Sequence, residues 1–130
     1  MKKSGILNRQ LAGALAELGH GDTVLVCDAG MPIPQGPRVV DLSFRAGTPP
    51  FAEVLDGLLA ELVVEGATAA GEVREANPEA AELLTGHFPG SLGLVSHDEL
   101  KALSAGARLV VRTGEATPYA NVLLHCGVFF

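Results

Sequence analysis

Basic residues are scarce: nine Lys and Arg stand against fifteen Asp and Glu, a formal net charge of −6. A surface of that sign repels phosphate backbones and offers little to anionic membranes, so neither nucleic acid nor a membrane is expected as a partner. Phosphate-cradling motifs are missing as well. There is no GxxxxGK[ST], and no GxGxxG lies between a strand and a helix, which disfavours nucleotide cofactors. No HxxxH or HExxH spacing places ligands on one helical face, so His20, Asp22, Asp28, His97 and Asp98 could hold a metal only if the fold gathered them. No metal or other cofactor is expected. Cysteine occurs only twice, at Cys27 and Cys126, each inside an apolar run and outside any CxxC or Cys/His pattern. These read as buried thiols of a reducing compartment rather than as a disulfide. With no GxSxG elbow either, nucleophilic catalysis is not expected. No segment is long enough to span a bilayer. The opening Met1-Lys2-Lys3-Ser4-Gly5 resembles a signal-peptide n-region, but Asn8, Arg9 and Gln10 stand where its apolar region should follow.

What is present suits one core. The chain has 130 residues, 48% of them hydrophobic, with no repeat, linker or low-complexity tract, so a single domain over 1–130 is expected. Leu11, Leu15 and Leu18 recur at helical spacing behind a cap at Asn8, and Gly19 closes that helix. Thr23 to Cys27 reads as a strand buried on both faces. A loop stiffened by Pro32, Pro34 and Pro37 leads to a strand around Val39 to Leu42. Thr48-Pro49 reads as cap and first turn of a second helix carrying Val54, Leu55, Leu58, Leu59 and Leu62. Val63 to Val73 fits either a continuation of that helix or a strand, with the strand favoured. Asn77-Pro78 opens a short third helix through Leu84, and Gly86 to Gly93 reads as a loop. Leu94-Val95 is strand-like, and Ser96 and Glu99 form a capping-box spacing for a helix ending near Gly106. Arg108 to Arg112 and Val122 to Cys126 complete the strands. The alternation predicts a three-layer α/β/α sandwich with a largely parallel or mixed central sheet.

Strands of such sheets deliver functional groups at their carboxyl ends, and Asp28 occupies that position. His20 and Asp22 flank Gly21 just before the same strand, which suits either a polar turn or an acid/base group. His97 falls in the first turn of its helix, and Tyr119 and Asn121 lie just before the last strand. Read singly, Asp28 could cap a turn and Tyr119 could be packing. Read together they suit a hydroxyl-rich ligand. His87 reads as surface loop, His125 as a sheet position, and Glu61, Glu65, Glu72 and Glu75 as a solvated face.

Three separated motifs in order carry a resemblance: Leu-Gly-His-Gly-Asp at 18–22, Cys-Asp-Ala-Gly-Met-Pro-Ile-Pro at 27–34, and Thr-Gly-Glu-Ala-Thr-Pro-Tyr-Ala-Asn at 113–121. With the terminal Gly-Val-Phe-Phe at 127–130, they make the chain similar to the D-ribose pyranase and L-fucose mutarotase family from Lys3 to Phe130. The resemblance implies an intramolecular isomerase that interconverts pyranose and furanose forms of D-ribose by general acid/base ring opening and closure. It implies His20 as proton donor and Asp28, His97, Tyr119, Ala120 and Asn121 as sugar-binding residues. It also implies a cytoplasmic homodecamer of two pentameric rings. Gly30 after Asp28-Ala29, the Pro32-Ile33-Pro34 continuation and His97 follow the ribose branch rather than the fucose branch. The segment between Pro89 and Val95 is shorter than the family's, and His125 stands in a normally apolar strand. L-fucose mutarotase activity is the rival within the family. A non-catalytic sugar-binding module associated with ribose transport, which would need Asp28, Tyr119 and Asn121 but not His20, is the rival outside it.

Overall fold

Asn8 accepts a hydrogen bond from the Leu11 N–H at 2.9 Å and so starts the first helix, α1 (Arg9–Ala16), in a computed structural model that describes residues 1–130. The chain continues through β1 (Thr23–Cys27), β2 (Arg38–Asp41), α2 (Phe51–Leu59), β3 (Val64–Ala70), α3 (Val73–Ala76) and α4 (Pro78–His87). It ends with β4 (Leu92–Val95), α5 (His97–Ser104), β5 (Leu109–Arg112) and β6 (Val122–Cys126). The strands form one six-stranded sheet in the order β2-β5-β1-β6-β3-β4. β6 is antiparallel to both of its neighbours, while β2, β5 and β1 pair in parallel, as do β3 and β4. The sheet is therefore mixed, with a single reversed strand inside it.

Alternation along the strands divides the core. Val24, Val26, Val111, Val122 and Leu124 point to the face covered by α1, α2 and α4, in a cluster of 22 buried residues that includes Leu11, Leu55, Leu58 and Leu84. Leu25, Cys27, Val110 and Leu123 point to the other face and meet Leu100 of α5 in a cluster of 8. The three-layer sandwich holds, with an unequal third layer of one short helix. Cys27 and Cys126 are free and buried. They lie on opposite faces and at opposite ends of the antiparallel β1–β6 pair, which keeps their sulfurs apart.

Several boundaries differ from the sequence expectation for identifiable reasons. α2 starts at Phe51, because Thr48 is spent in a tight turn where its carbonyl accepts from the Phe44 and Arg45 N–H groups. The cap of α2 comes instead from far along the chain, as the Glu115 carboxylate accepts from the Phe51 N–H at 3.0 Å. β3 stops at Ala70, and Val73 opens the one-turn α3 after the Gly71 N–H has made the last ladder bond to the Val95 carbonyl. α4 runs past Leu84 to His87, so His87 is a helix residue, its Nε2 2.9 Å from Asp56 Oδ1, and not part of a loop. β4 takes in Leu92 and Gly93, a glycine that carries no side chain to reveal the strand's alternation. α1 ends at Ala16, short of Leu18. His125 does sit in the sheet, where its Nε2 lies 2.9 Å from Thr68 Oγ1 and satisfies a polar ring on β6.

Candidate functional site

Five strands run in one direction, so their carboxyl ends share one edge of the sheet, and the reversed β6 begins at that edge. Asp28 follows β1 there, His97 follows β4, and the 113–121 connection joins β5 to β6 across it. Between them lies a cleft of about 400 Å³ walled by Asp28, Met31, His97, Glu115, Thr117 and Tyr119. That volume is within the range of small-molecule sites.

Asp28 is only 8% exposed. Its Oδ1 accepts from the Gly30 N–H at 2.9 Å and its Oδ2 from Asn121 Nδ2 at 3.1 Å, while Asn121 Oδ1 accepts from the Asp28 N–H at 2.8 Å. Burial pushes the Asp28 carboxyl above its ordinary value, against the bonds from Asn121 and Gly30, which pull it down. A carboxylate offers about four acceptor positions, so lone pairs remain for hydroxyl groups in the cleft. His97 opens α5, and its backbone N–H donates to the Glu72 carboxylate at 2.9 Å. Its ring stands edge-on to Tyr119, with centroids 5.1 Å apart and planes at 88°. His97 Nδ1 is buried without a hydrogen-bond partner. Tyr119 adopts φ 58°, the left-handed region that costs a bulky residue energy unless its neighbours hold it there.

The walls are pinned by residues that the sequence reading gave no role. Arg112 donates from Nε and Nη2 to the Ala29 carbonyl at 3.1 and 2.7 Å, and from Nη1 to Asp41 and Ser43. The Thr113 hydroxyl donates to the Cys27 carbonyl at 2.8 Å, and the Ala29 N–H donates to the Glu115 carbonyl at 2.9 Å. Burial raises the Glu115 carboxyl, but bonds from the Phe51 N–H and from Thr117 outweigh it and hold the group below its ordinary value. Gly114 is obligatory, because a Cβ there would overlap the Thr48 carbonyl. Thr113, Gly114 and Glu115 stood inside a quoted motif, but only the tertiary contacts reveal what each one holds.

Of the residues singled out in the sequence, Asp28, His97 and Tyr119 come together. Asn121 is 1% exposed and sits behind Asp28, with one bond between each end of its amide and that residue. Ala120 is also 1% exposed and packs in the larger core cluster, away from the cleft. His20 lies at the opposite edge of the sheet, in the turn before β1, with its side chain 57% exposed and its Nε2 3.4 Å from Glu65 Oε2. The five residues of β1 separate it from Asp28 by about 16 Å of strand. No three His, Cys, Asp or Glu side chains gather as metal ligands, and no helix is long and apolar enough to cross a membrane.

Fold and cleft define an α/β protein whose small polar pocket, at the carboxyl edge of a mixed sheet, offers a buried carboxylate, an imidazole and an aromatic edge. Residues 1–129 match the RbsD / FucU transport protein family, and the chain belongs to that family. It is 82% identical, over the whole of both chains, to a Streptomyces griseus protein named D-ribose pyranase 2. Among solved structures, Bacillus subtilis RbsD complexed with D-ribose is 45% identical with a TM-score of 0.95, covering all of both chains. FucU from Bifidobacterium longum is 25% identical with a TM-score of 0.80, covering 95% of this chain and 97% of that one. Both measures put this chain nearer to the ribose-bound relative.

Proposed function

We propose that this chain interconverts the pyranose and furanose forms of D-ribose. The observation that carries the reading is the cleft in which Asp28, His97 and Tyr119 meet, in a chain 82% identical to a protein named D-ribose pyranase 2. In the reaction a proton leaves the anomeric hydroxyl as one is delivered to the ring oxygen, and the hemiacetal opens to the aldehyde. Attack by the C4 hydroxyl instead of the C5 hydroxyl recloses it as the five-membered ring. No atom is gained or lost, so general acid/base groups and an ordered sugar are sufficient.

Asp28 is assigned to accept hydrogen bonds from sugar hydroxyls through its unspent lone pairs. His97 lines the cleft beside it, and Tyr119 offers an apolar edge to a sugar face. His20 is assigned as the proton carrier, delivered by a second copy of the chain. One chain holds its own His20 a strand's length from its own Asp28, so the acid/base group and the pocket can meet only across an interface between copies. A homo-oligomer, the decamer of two pentameric rings included, is thus part of the proposal, with the exposed Phe129 and Phe130 as apolar material for contacts. Residues 1–130 are taken to act as one domain, a reading supported by the single sheet, and to act in the cytoplasm, which the two free buried thiols suit.

Saturation-transfer NMR on D-ribose tests the function. Accelerated exchange between pyranose and furanose signals is the expected result. Saturable binding with exchange at the uncatalysed rate would convert the protein to a sugar-binding module.

A further inference from the structure

We propose that Asn77, which lies outside the cleft, is a positioning residue that holds Tyr119 in its left-handed conformation and thereby sets the sugar-facing wall. The inference deepens the ribose reading and rests on it for the identity of the ligand. Asn77 is 8% exposed, and its side chain does two jobs at once. Oδ1 accepts from the Ala80 N–H at 3.3 Å and caps α4. Nδ2 donates to Thr117 Oγ1 and to the Pro118 carbonyl, both at 2.8 Å. The second pair of bonds fixes the two residues immediately before Tyr119.

An ordinary helix cap needs only the acceptor half of the amide. The donor half is directed at the loop instead, and the Thr117 hydroxyl passes the restraint on to Glu115, whose carboxylate it meets at 3.0 Å. The Pro118 carbonyl belongs to the peptide that leads into the left-handed residue, so pinning it fixes the peptide plane from which the Tyr119 φ is set. With Nδ2 removed, nothing among these contacts holds the 117–118 segment to α4. Tyr119 then relaxes toward extended backbone and its ring leaves the edge-on contact with His97.

The two jobs are separable by substitution. Asn77→Asp keeps the capping oxygen and exchanges the donor for an oxygen facing the Pro118 carbonyl. Asn77→Ser keeps a capping hydroxyl without a buried charge and without reach to the loop. Tyr119 is the only tyrosine and there is no tryptophan, so intrinsic fluorescence of the full-length protein reports this one ring. Both variants are expected to keep the native far-ultraviolet circular dichroism, to change the intensity and anisotropy of tyrosine emission, and to raise KM for ribose about tenfold, the scale of losing two net hydrogen bonds. kcat should fall less than KM rises. Folded variants with native emission and native KM overturn the proposal. Loss of the fold in both variants overturns it too, since Asn77 would then be structural. A wild-type protein that does not act on ribose defeats the functional reading alone, because the emission of the variants still decides the role of Asn77.

Discussion

Asn121 encloses Asp28 from behind, its Oδ1 taking the Asp28 N–H at 2.8 Å and its Nδ2 giving a bond to Asp28 Oδ2 at 3.1 Å. The amide thus fixes both the backbone and the carboxylate of the residue that faces the cleft, across 93 positions of sequence. The end of β1 and the start of β6, which meet at one edge of the sheet, are tied together there.

That tie has a pH consequence. Burial raises the Asp28 carboxyl and the Asn121 bond opposes the rise, so removing the bond lifts the value further. The carboxylate exists above its pKa and is lost as pH falls through it. Asn121→Ala should therefore move the acid limb of kcat/KM for ribose to higher pH. It should also lower stability by about 1–3 kcal/mol, because the buried Asp28 N–H loses its acceptor. A pH–rate profile with a denaturation curve checks both effects. An unmoved acid limb would separate Asn121 from the ionisation of Asp28.

Gly114→Ala should cost at least about 1–3 kcal/mol, since its Cβ would overlap backbone rather than a side chain that can swing away. The Gly114 N–H donates to the Pro49 carbonyl and its carbonyl accepts from the Gly47 N–H, so the displaced segment is the one leading into α2. Chemical denaturation measures the loss. A neutral effect would show that this segment yields freely.

Cys27 should resist thiol reagents while the protein is folded. Its thiol is pushed up to about 12, first by burial and then by the neighbouring Asp28 carboxylate, which leaves almost no thiolate at neutral pH. Titration with a chromogenic disulfide should find no rapid reaction at Cys27 in buffer and full reaction in denaturant. Rapid reaction of the folded protein at Cys27 would contradict its burial.

The elements that the sequence revealed are those whose signals are local. β1 and β6 were bounded correctly by their apolar runs, and Asn8, Asn77 and Ser96 cap their helices as the spacing predicts. α2 was misplaced at its start because its cap is Glu115, 64 residues away. The site was legible in the same measure. Asp28 and His97 follow strands and could be read as edge residues, and Tyr119 came with its motif. Nothing local shows that the amide of Asn121, expected as a sugar ligand, also holds Asp28. Arg112 gave no signal and Asn77 only that of a helix cap, since the other groups they hold lie at least 69 and 40 residues away in the chain. His20 matched a motif position, and its place before β1 with Asp28 after it already put the two at opposite ends of one strand, but a sequence cannot show in which copy a residue acts.

Separation of His20 from the cleft makes the last prediction the most discriminating. His20→Ala should preserve the fold, because the side chain is 57% exposed in a turn, and should lower ribose interconversion by roughly two to four orders of magnitude, the usual contribution of a positioned acid/base group. His20→Gln keeps hydrogen bonding but carries no proton near neutral pH, so it should be equally slow. Asp28→Asn should also be inactive, with its pocket impaired but its His20 intact. If His20 reaches the cleft of a neighbouring copy, equal amounts of the His20→Ala and Asp28→Asn chains, dissociated and reassembled together, contain sites built from one intact half of each. Random mixing gives about a quarter of all sites that composition, so activity should recover to about a quarter of wild type. No recovery after verified subunit exchange would mean that His20 does not act across copies. Because its own Asp28 lies a strand's length away, the proton carrier would then have to be another group, with His97 already in the cleft as the one to substitute next.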